Sequence, residues 1–318
     1  MHLTAHQATT QDIPAVPSVD PSAPCGICGS VPLRELFRAT DTNFHTTDES
    51  FLVARCPRCG VAQTVPRPAP GAMGRYYPPA YYPTSELDAR RYDRQIGRFQ
   101  RAKVEHLRRH CRAGRVLDVG CGMGYFLREA AQRGYGTKGV EISSQAAALG
   151  RSRFGLDIVT GDLSSAALPA SAFDAVTFWQ SLEHMHAPAD ALREAHRLLV
   201  QGGILAVAVP NTASVQASLF GARWYHLEVP RHLYHFDPAS LGALAEACGF
   251  RVLEVRYGSA EHDWAGILGS IIPLSRAGEP RLQRLLRKGV GAPLARALAF
   301  IESSARRGAT FELFAAKP

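Results

Sequence analysis

No stretch of this 318-residue chain reaches the ~20 uninterrupted apolar residues that a membrane-spanning helix needs. Residues 1–24 lack a basic start followed by an apolar block, so no secretory leader is read there. Rich in Thr, Pro, Ala and Ser, residues 1–22 are expected to form a mobile tail, and the chain is expected to be cytoplasmic. Acidic residues are outnumbered, 28 Asp and Glu against 36 Lys and Arg, for a net charge of +8. Arginine carries the excess and clusters between Arg90 and Arg115. No aromatic ladder accompanies it, and Asp93 and Glu105 interrupt it. It therefore reads as a solvated helix face, and nucleic acid is not the expected partner. With 46% apolar residues the chain can bury a sizeable core, and its length fits one large domain or one domain plus a small module.

The most informative segment is Val116-Leu-Asp-Val-Gly-Cys-Gly-Met-Gly124. An apolar run ends in an acid, and glycines follow at alternate positions. This reads as a strand entering a tight turn and then a helix from Tyr125. Gly120, Gly122 and Gly124 let the backbone bend and let a ligand approach without meeting a Cβ. Asp118 suits a ligand carrying an ammonium group, which a pyrophosphate does not. A second strand, from Gly136 to Val140, ends in Glu141, 23 residues beyond Asp118. An acid at about that spacing can bind both hydroxyls of a ribose. The third strand, Leu156 to Thr160, ends at Gly161-Asp162, where a carboxylate can accept from an adenine amine. The fourth, Phe173 to Phe178, runs into Trp179-Gln180-Ser181-Leu182-Glu183-His184. Blander readings stay open: Glu141 as a solvated strand end, Asp162 as a helix N-cap, and Cys121 as a space-filler between glycines.

Four strand ends in this order resemble the class I S-adenosylmethionine-dependent methyltransferases. The resemblance implies a Rossmann-like α/β sheet of seven strands with helices on both faces, spanning about residues 89–318. It implies S-adenosylmethionine as cofactor, held by Asp118, Gly120, Gly122, Gly124, Glu141, Asp162 and Gln180. No Asn/Asp-Pro-Pro-Tyr sequence follows the fourth strand, which counts against adenine or glutamine methylation.

Ahead of this domain, residues 23–66 hold Cys25-Gly-Ile-Cys28 and Cys56-Pro-Arg-Cys59, two pairs with 27 residues between them. Each pair can aim two thiolates at one point, and two pairs complete a tetrahedral site for structural Zn²⁺. Leu33–Phe37 and Phe51–Ala54 read as strands of a small β-ribbon. Cys25, Cys28, Cys56 and Cys59 leave no open ligand position, so the metal's expected role is folding. Residues 67–88 form a Tyr/Pro link with four tyrosines in seven positions, Tyr76 to Tyr82. Its rings either pack over the domain junction or lend a phenol to the site. A helix from about Glu86 to Cys111 is expected across the cofactor pocket.

After the fifth strand, Ile204 to Val209, comes Trp224–Phe236, without sheet character. It holds three histidines, one glutamate, one arginine and four aromatics in thirteen residues. In the resembled family such an insertion roofs the acceptor site, so lids are expected at about 212–237 and 258–306. The cysteine module, the Tyr/Pro link and this loop together resemble the nucleotide-sugar C-methyltransferases, whose Tyr-His-Glu-His-x-x-Tyr-Phe segment carries a Glu-His pair. That alignment places His232 on the catalytic histidine and Arg231 where the acid belongs. The departure weakens sugar C-methylation as the reaction. Leu182-Glu183-His184 resembles a segment of the ubiquinone-type O-methyltransferases and puts His184 at the front of the site. His232 and His184 are thus the base candidates. The expected acceptor is a small molecule, with O-methylation of a sugar, polysaccharide precursor or secondary metabolite. RNA methylation with the ribbon gripping nucleic acid, sugar C-methylation and a non-catalytic cofactor-binding scaffold are the alternatives. Arg251–Tyr257 and Ala309–Ala316 read as the last strands. Between them, Trp264–Leu274 and Leu294–Ile301 read as amphipathic helices interleaved with Arg281, Arg284, Arg287 and Lys288, a pattern open to a peripheral membrane or lipid-linked acceptor.

Overall fold

A computed structural model describes residues 23–78, 81, 86–259, 262–272, 285 and 291–318, with the side chains of the first helix described from Ile96 onward. The expected tail and Arg281, Arg284, Arg287 and Lys288 lie outside the described residues.

The larger sheet is built from β4 (Arg115–Val119), β5 (Gly136–Glu141), β6 (Ile158–Thr160), β7 (Phe173–Trp179), β8 (Leu199–Pro210), β10 (Arg251–Tyr257) and β11 (Thr310–Ala316). Their order across the sheet is β10-β11-β8-β7-β4-β5-β6. β11 pairs antiparallel with both neighbours, whereas β4, β5, β6, β7 and β8 pair in parallel. This is the expected seven-stranded α/β sheet. Helices α1 (Glu86–Arg108), α2 (Tyr125–Ala131), α3 (Ser144–Phe154), α4 (Pro188–Leu198), α5 (Val215–Phe220) and α6 (Pro238–Ala247) connect the strands. α7 (Asp263–Ile271) and α8 (Gly291–Ser304) precede β11. They join through Ile267, Leu268, Ala295 and Ala299, while Leu294, Phe300 and Ile301 face outward. Among the described residues no helix is long and apolar enough to cross a membrane.

The two-residue alternation of strands sets up two core layers. Leu117, Val119, Val176 and Phe178 pack with Leu192, Leu241 and Leu244 on one face. Val116, Ala175 and Trp179 pack with Val104, Leu107, Phe126 and Leu127 on the other. Burying each large apolar side chain stabilises by about 1.5–3 kcal/mol. Local signals fix the helix starts. Ser143 accepts from the Ala146 amide ahead of α3, and Asp237 with Ser240 forms a reciprocal cap ahead of α6.

The smaller sheet differs from expectation. β1 (Arg34–Ala39), β2 (Phe51–Arg55) and β3 (Ala62–Val65) form an antiparallel ribbon, and its fourth strand is β9 (Tyr234–His235). β9 comes from the Trp224–Phe236 segment, which was expected to lack sheet character. Gln63 faces Tyr234 and Ala62 faces His235. The Thr64 amide donates to the Leu233 carbonyl at 3.0 Å, and the Thr64 hydroxyl donates to that of His232 at 2.7 Å. A two-residue strand has too short a pattern to read, and its backbone groups are satisfied only because β3 offers a free edge. The ribbon and the catalytic domain therefore share a sheet, and Trp224, Leu227 and Val229 bury against Phe51, Val53 and Tyr76.

Candidate active site

The strand order reverses beside β4, with β5 on one side and β7 on the other. Open α/β sheets bind ligands at the C-terminal strand ends next to such a reversal. A cavity of about 940 Å³ lies there, a size suited to a cofactor plus a small molecule. Gly120, Glu141, Asp162 and Gln180 line it. Gly120 has φ +72°, and a Cβ there would stand 2.5 Å from the Ser181 Cβ. Glycine is thus required twice, by conformation and by space. Gly124, also at positive φ, starts α2, and a Cβ there would meet Leu156 at 2.3 Å. Gly122 keeps open space around its missing Cβ, and its amide donates to Glu141 Oε2 at 2.7 Å.

Glu141 is buried at the tip of β5. Its other oxygen accepts from the Ser143 amide at 2.8 Å. Burial raises its pKa, opposed by those amides. The carboxylate is thus locked in place before any ligand arrives. Asp162 lines the cavity but also accepts from the Ser165 amide and the Ser164 hydroxyl, both at 2.7 Å. The capping and ligand-facing readings of this residue coexist. Asp118 sits behind the wall instead. It is buried, accepts from the Thr177 hydroxyl at 2.8 Å, and burial lifts its pKa to about 7. Val119 presents the wall at that point. Cys121 packs against Gly139, where a Cβ would come within 2.6 Å of its sulfur, and burial keeps it a thiol.

Of the segments expected to border the acceptor site, the Tyr/Pro link is the one found at this cavity among the described residues. Pro70, Met73, Gly74, Tyr77, Pro78 and Tyr81 of the Tyr/Pro link line the cavity. Among the described residues, no side chain of α1 and none of 212–237 or 258–306 does so. β9 pairs with β3, and the adjoining Arg231 and Leu233 contact His184 and Glu183 from behind the wall. The link's tyrosines divide the two expected roles. Tyr76 is buried at the domain junction, while Tyr77 lines the cavity with its hydroxyl 3.0 Å from His184 Nδ1.

His184 forms part of the cavity wall; His232 stands behind it, 5% exposed. The two rings meet edge to face with centroids 4.6 Å apart. Burial lowers the His184 pKa to about 4 and drives that of His232 well below the usual imidazole range, so both rings are neutral at pH 7. Glu183, one residue before His184, has a carboxylate oxygen within 4.8 Å of a ring nitrogen of each histidine. It is 1% exposed, and neither carboxylate oxygen has a hydrogen-bond partner. Burial raises its pKa to about 8. Sequence reading quoted Glu183 as part of the Leu-Glu-His segment without giving it a role.

Arg231 is the second residue whose role emerges only in three dimensions. Its side chain is fully buried and grips Asp41 of the ribbon with two bonds of 2.8 and 2.9 Å. It also donates to the Tyr76 carbonyl at 3.1 Å and pairs with Glu228 at 3.3 Å. Its own carbonyl accepts from His184 Nδ1 at 3.1 Å. The position that lacks the expected acid therefore carries a strut from the ribbon to the site.

All seven cysteines of the chain, the ribbon's four among them, are free of disulfides in this structure. The sulfurs of Cys25, Cys28, Cys56 and Cys59 all lie within 4.8 Å of one another. Cys25 and Cys59 are 3.6 Å apart, Cys28 and Cys56 3.5 Å. Four thiolates about 2.3 Å from one ion stand about 3.8 Å apart, so the donor set fits a tetrahedral metal. Backbone amides of Ile27 and Cys59 point at Cys25 and Cys56 sulfurs.

The sheet order and the strand-tip cavity define a class I methyltransferase architecture. A methyltransferase-domain family matches residues 91–255, and the chain belongs to that family of S-adenosylmethionine-dependent methyltransferases. The chain is 30% identical over 154 residues to a ubiquinone biosynthesis O-methyltransferase of Pseudomonas aeruginosa, an alignment covering 44% of this chain and 66% of the relative. One from Pseudomonas paraeruginosa is 31% identical over 153 residues, with the same coverage. The chain thus spans just under two thirds of these relatives' length. Among solved structures it resembles a Haloferax volcanii methyltransferase determined in complex with a methyltransferase activator, with TM-score 0.51 and 18% identity over 71% of this chain and 93% of that one. That likeness is one of fold.

Proposed function

We propose that the protein transfers the methyl group of S-adenosylmethionine to a hydroxyl of a small-molecule acceptor. The observation that carries this reading is the single cavity shared by two kinds of wall. Glu141, Asp162 and Gln180 line one part, where a ribose and an adenine find acceptors, and Tyr77 and His184 line another. The relatives' O-methyltransferase names favour oxygen as the acceptor atom. Transfer is an in-line displacement at sulfonium, so the residues must align acceptor, methyl and sulfur and take charge of the acceptor's proton. His184, backed by His232, is the group placed to do so.

Incubation with methyl-labelled cofactor and a panel of hydroxylated small molecules, with RNA as a parallel substrate, tests this. Labelled small-molecule ether is the expected product. Label in RNA alone would overturn the reading. Glu141→Ala is expected to weaken cofactor binding about 10- to 100-fold, the loss of hydrogen bonds to a charged acceptor, with a cooperative unfolding transition retained. Calorimetric affinity equal to wild type would remove Glu141 from the ribose site.

We also infer that the four ribbon cysteines hold a structural Zn²⁺. Because β9 is a strand of the ribbon sheet, loss of the ion is expected to reach the site. Cys56→Ser should abolish bound zinc and lower methyl transfer at least about 10-fold through misplacement of the 231–235 segment. Full activity in a zinc-free variant would show that the ribbon does not brace the site.

A further inference from the structure

We propose that Glu183, His184 and His232 form a second metal site, for a divalent first-row ion of the Zn²⁺ type, at the wall of the cofactor cavity. One donor atom of each of the three lies within 4.8 Å of the others. Four observations carry the assignment.

First, Glu183 is 1% exposed and both of its oxygens lack a partner. Buried carboxylates are normally hydrogen-bonded, and each exception calls for an unseen particle or a function. Arg231, the cation of this region, is committed to Asp41 and Glu228. Second, the His232 Nε2 atom is 4.0 Å from Glu183 Oε1. That is too long for a hydrogen bond and close to the separation, about 3–4 Å, of two ligands around one ion at 2.0–2.2 Å. Third, both histidines are oriented from behind. His184 Nδ1 faces the Arg231 carbonyl at 3.1 Å, and His232 Nδ1 faces the His226 carbonyl at 3.0 Å. A carbonyl only accepts, so His232 Nδ1 carries the proton and its Nε2 keeps its lone pair. His184 Nδ1 can share its proton between the Arg231 carbonyl and the Tyr77 oxygen at 3.0 Å, the tautomer that leaves its Nε2 free to ligate. A carbonyl on the far ring nitrogen is the usual support of a metal-binding histidine. Fourth, two imidazoles and one carboxylate are the donor set of zinc sites that keep a position open. His184 belongs to the cavity wall, so an ion held here borders the space assigned to the acceptor.

The inference deepens the methyl-transfer reading and, for its chemical role, rests on it; His184 then governs the acceptor's proton as a ligand of the ion, not as the base itself. An acceptor hydroxyl bound to the ion becomes more acidic. Its O–H bond breaks, the proton passes to water, and the oxygen's electron pair forms the bond to the methyl carbon. The C–S bond breaks, and its pair returns to sulfur, giving S-adenosylhomocysteine.

The test is metal content of the full chain produced in cobalt-supplemented medium, read by elemental analysis and absorption spectroscopy. About two cobalt ions per wild-type chain are expected, one in sulfur and one in nitrogen and oxygen ligands. Glu183→Gln and His232→Ala should each fall to about one, with the thiolate-to-cobalt band of the ribbon unchanged as the sign of an intact fold. One ion per wild-type chain beside an intact ribbon band would overturn the proposal, as would a second ion that survives both substitutions. The count needs no cofactor or acceptor. Two ions in a chain that transfers no methyl group would therefore sink the enzymatic reading and leave the metal site standing.

Discussion

Asp41→Ala is expected to lower the unfolding free energy by about 3–5 kcal/mol, the usual cost of stripping one partner from a buried ion pair. Arg231 has no exposed side-chain surface, and Asp41 meets it with both oxygens. The same carboxylate accepts from the amides of Asn43, Phe44 and Thr46, so alanine also unties the loop after β1. Burial alone would raise the Asp41 pKa, but Arg231 and Thr46 hold it far below the ordinary carboxylate value. The sign follows from linkage: a depressed native pKa gives stability that is fully present above the unfolded value, about 3.9, and is lost as pH falls through the native value. The difference between wild type and variant, measured by denaturant unfolding, should therefore be constant near neutrality and shrink below about pH 4. A gap below 1 kcal/mol at pH 7 would mean the strut contributes little. Because the Arg231 carbonyl accepts from His184, the variant should also lose turnover where it remains folded.

His184→Ala is expected to reduce kcat at least about 100-fold, within the range for a group that manages a proton in the transition state. Cofactor affinity should stay within about three-fold of wild type, since Glu141 and Asp162, assigned to ribose and adenine, lie at the tips of other strands. His232→Ala should follow the same pattern, because His232 backs His184 and touches no cavity surface. The informative quantity is the split between kcat and cofactor affinity. A variant that loses cofactor binding in proportion to turnover would place His184 in the cofactor site, and one with full activity would remove it from the chemistry.

The strand-tip part of the cavity was legible in the sequence because its signals are local. Gly120, Gly122 and Gly124 share one turn, and Glu141 ends an apolar strand at a fixed spacing. Two Cys-x-x-Cys pairs likewise announce their own geometry. What stayed hidden depends on distant partners. Arg231 and Asp41 are 190 residues apart, and no periodicity links them. β9 exists as a strand only because β3 has an edge to offer. Tyr77 stands in a proline-rich link where pattern says extended but not which ring turns inward. Glu183 reads as one acid in a polar loop; that no other residue donates to its buried carboxylate is a property of the packed structure alone. The Trp224–Phe236 histidines were legible as a site feature but not as a layer behind the wall.

Calorimetric titration of the purified full chain with S-adenosylmethionine and with S-adenosylhomocysteine bears most directly on the central assignment of the strand-tip cavity. About one equivalent of either compound should bind wild type, in the micromolar range usual for enzyme ligands, and Glu141→Ala should bind at least about ten-fold more weakly. A folded wild-type chain that takes up neither compound would contradict the account.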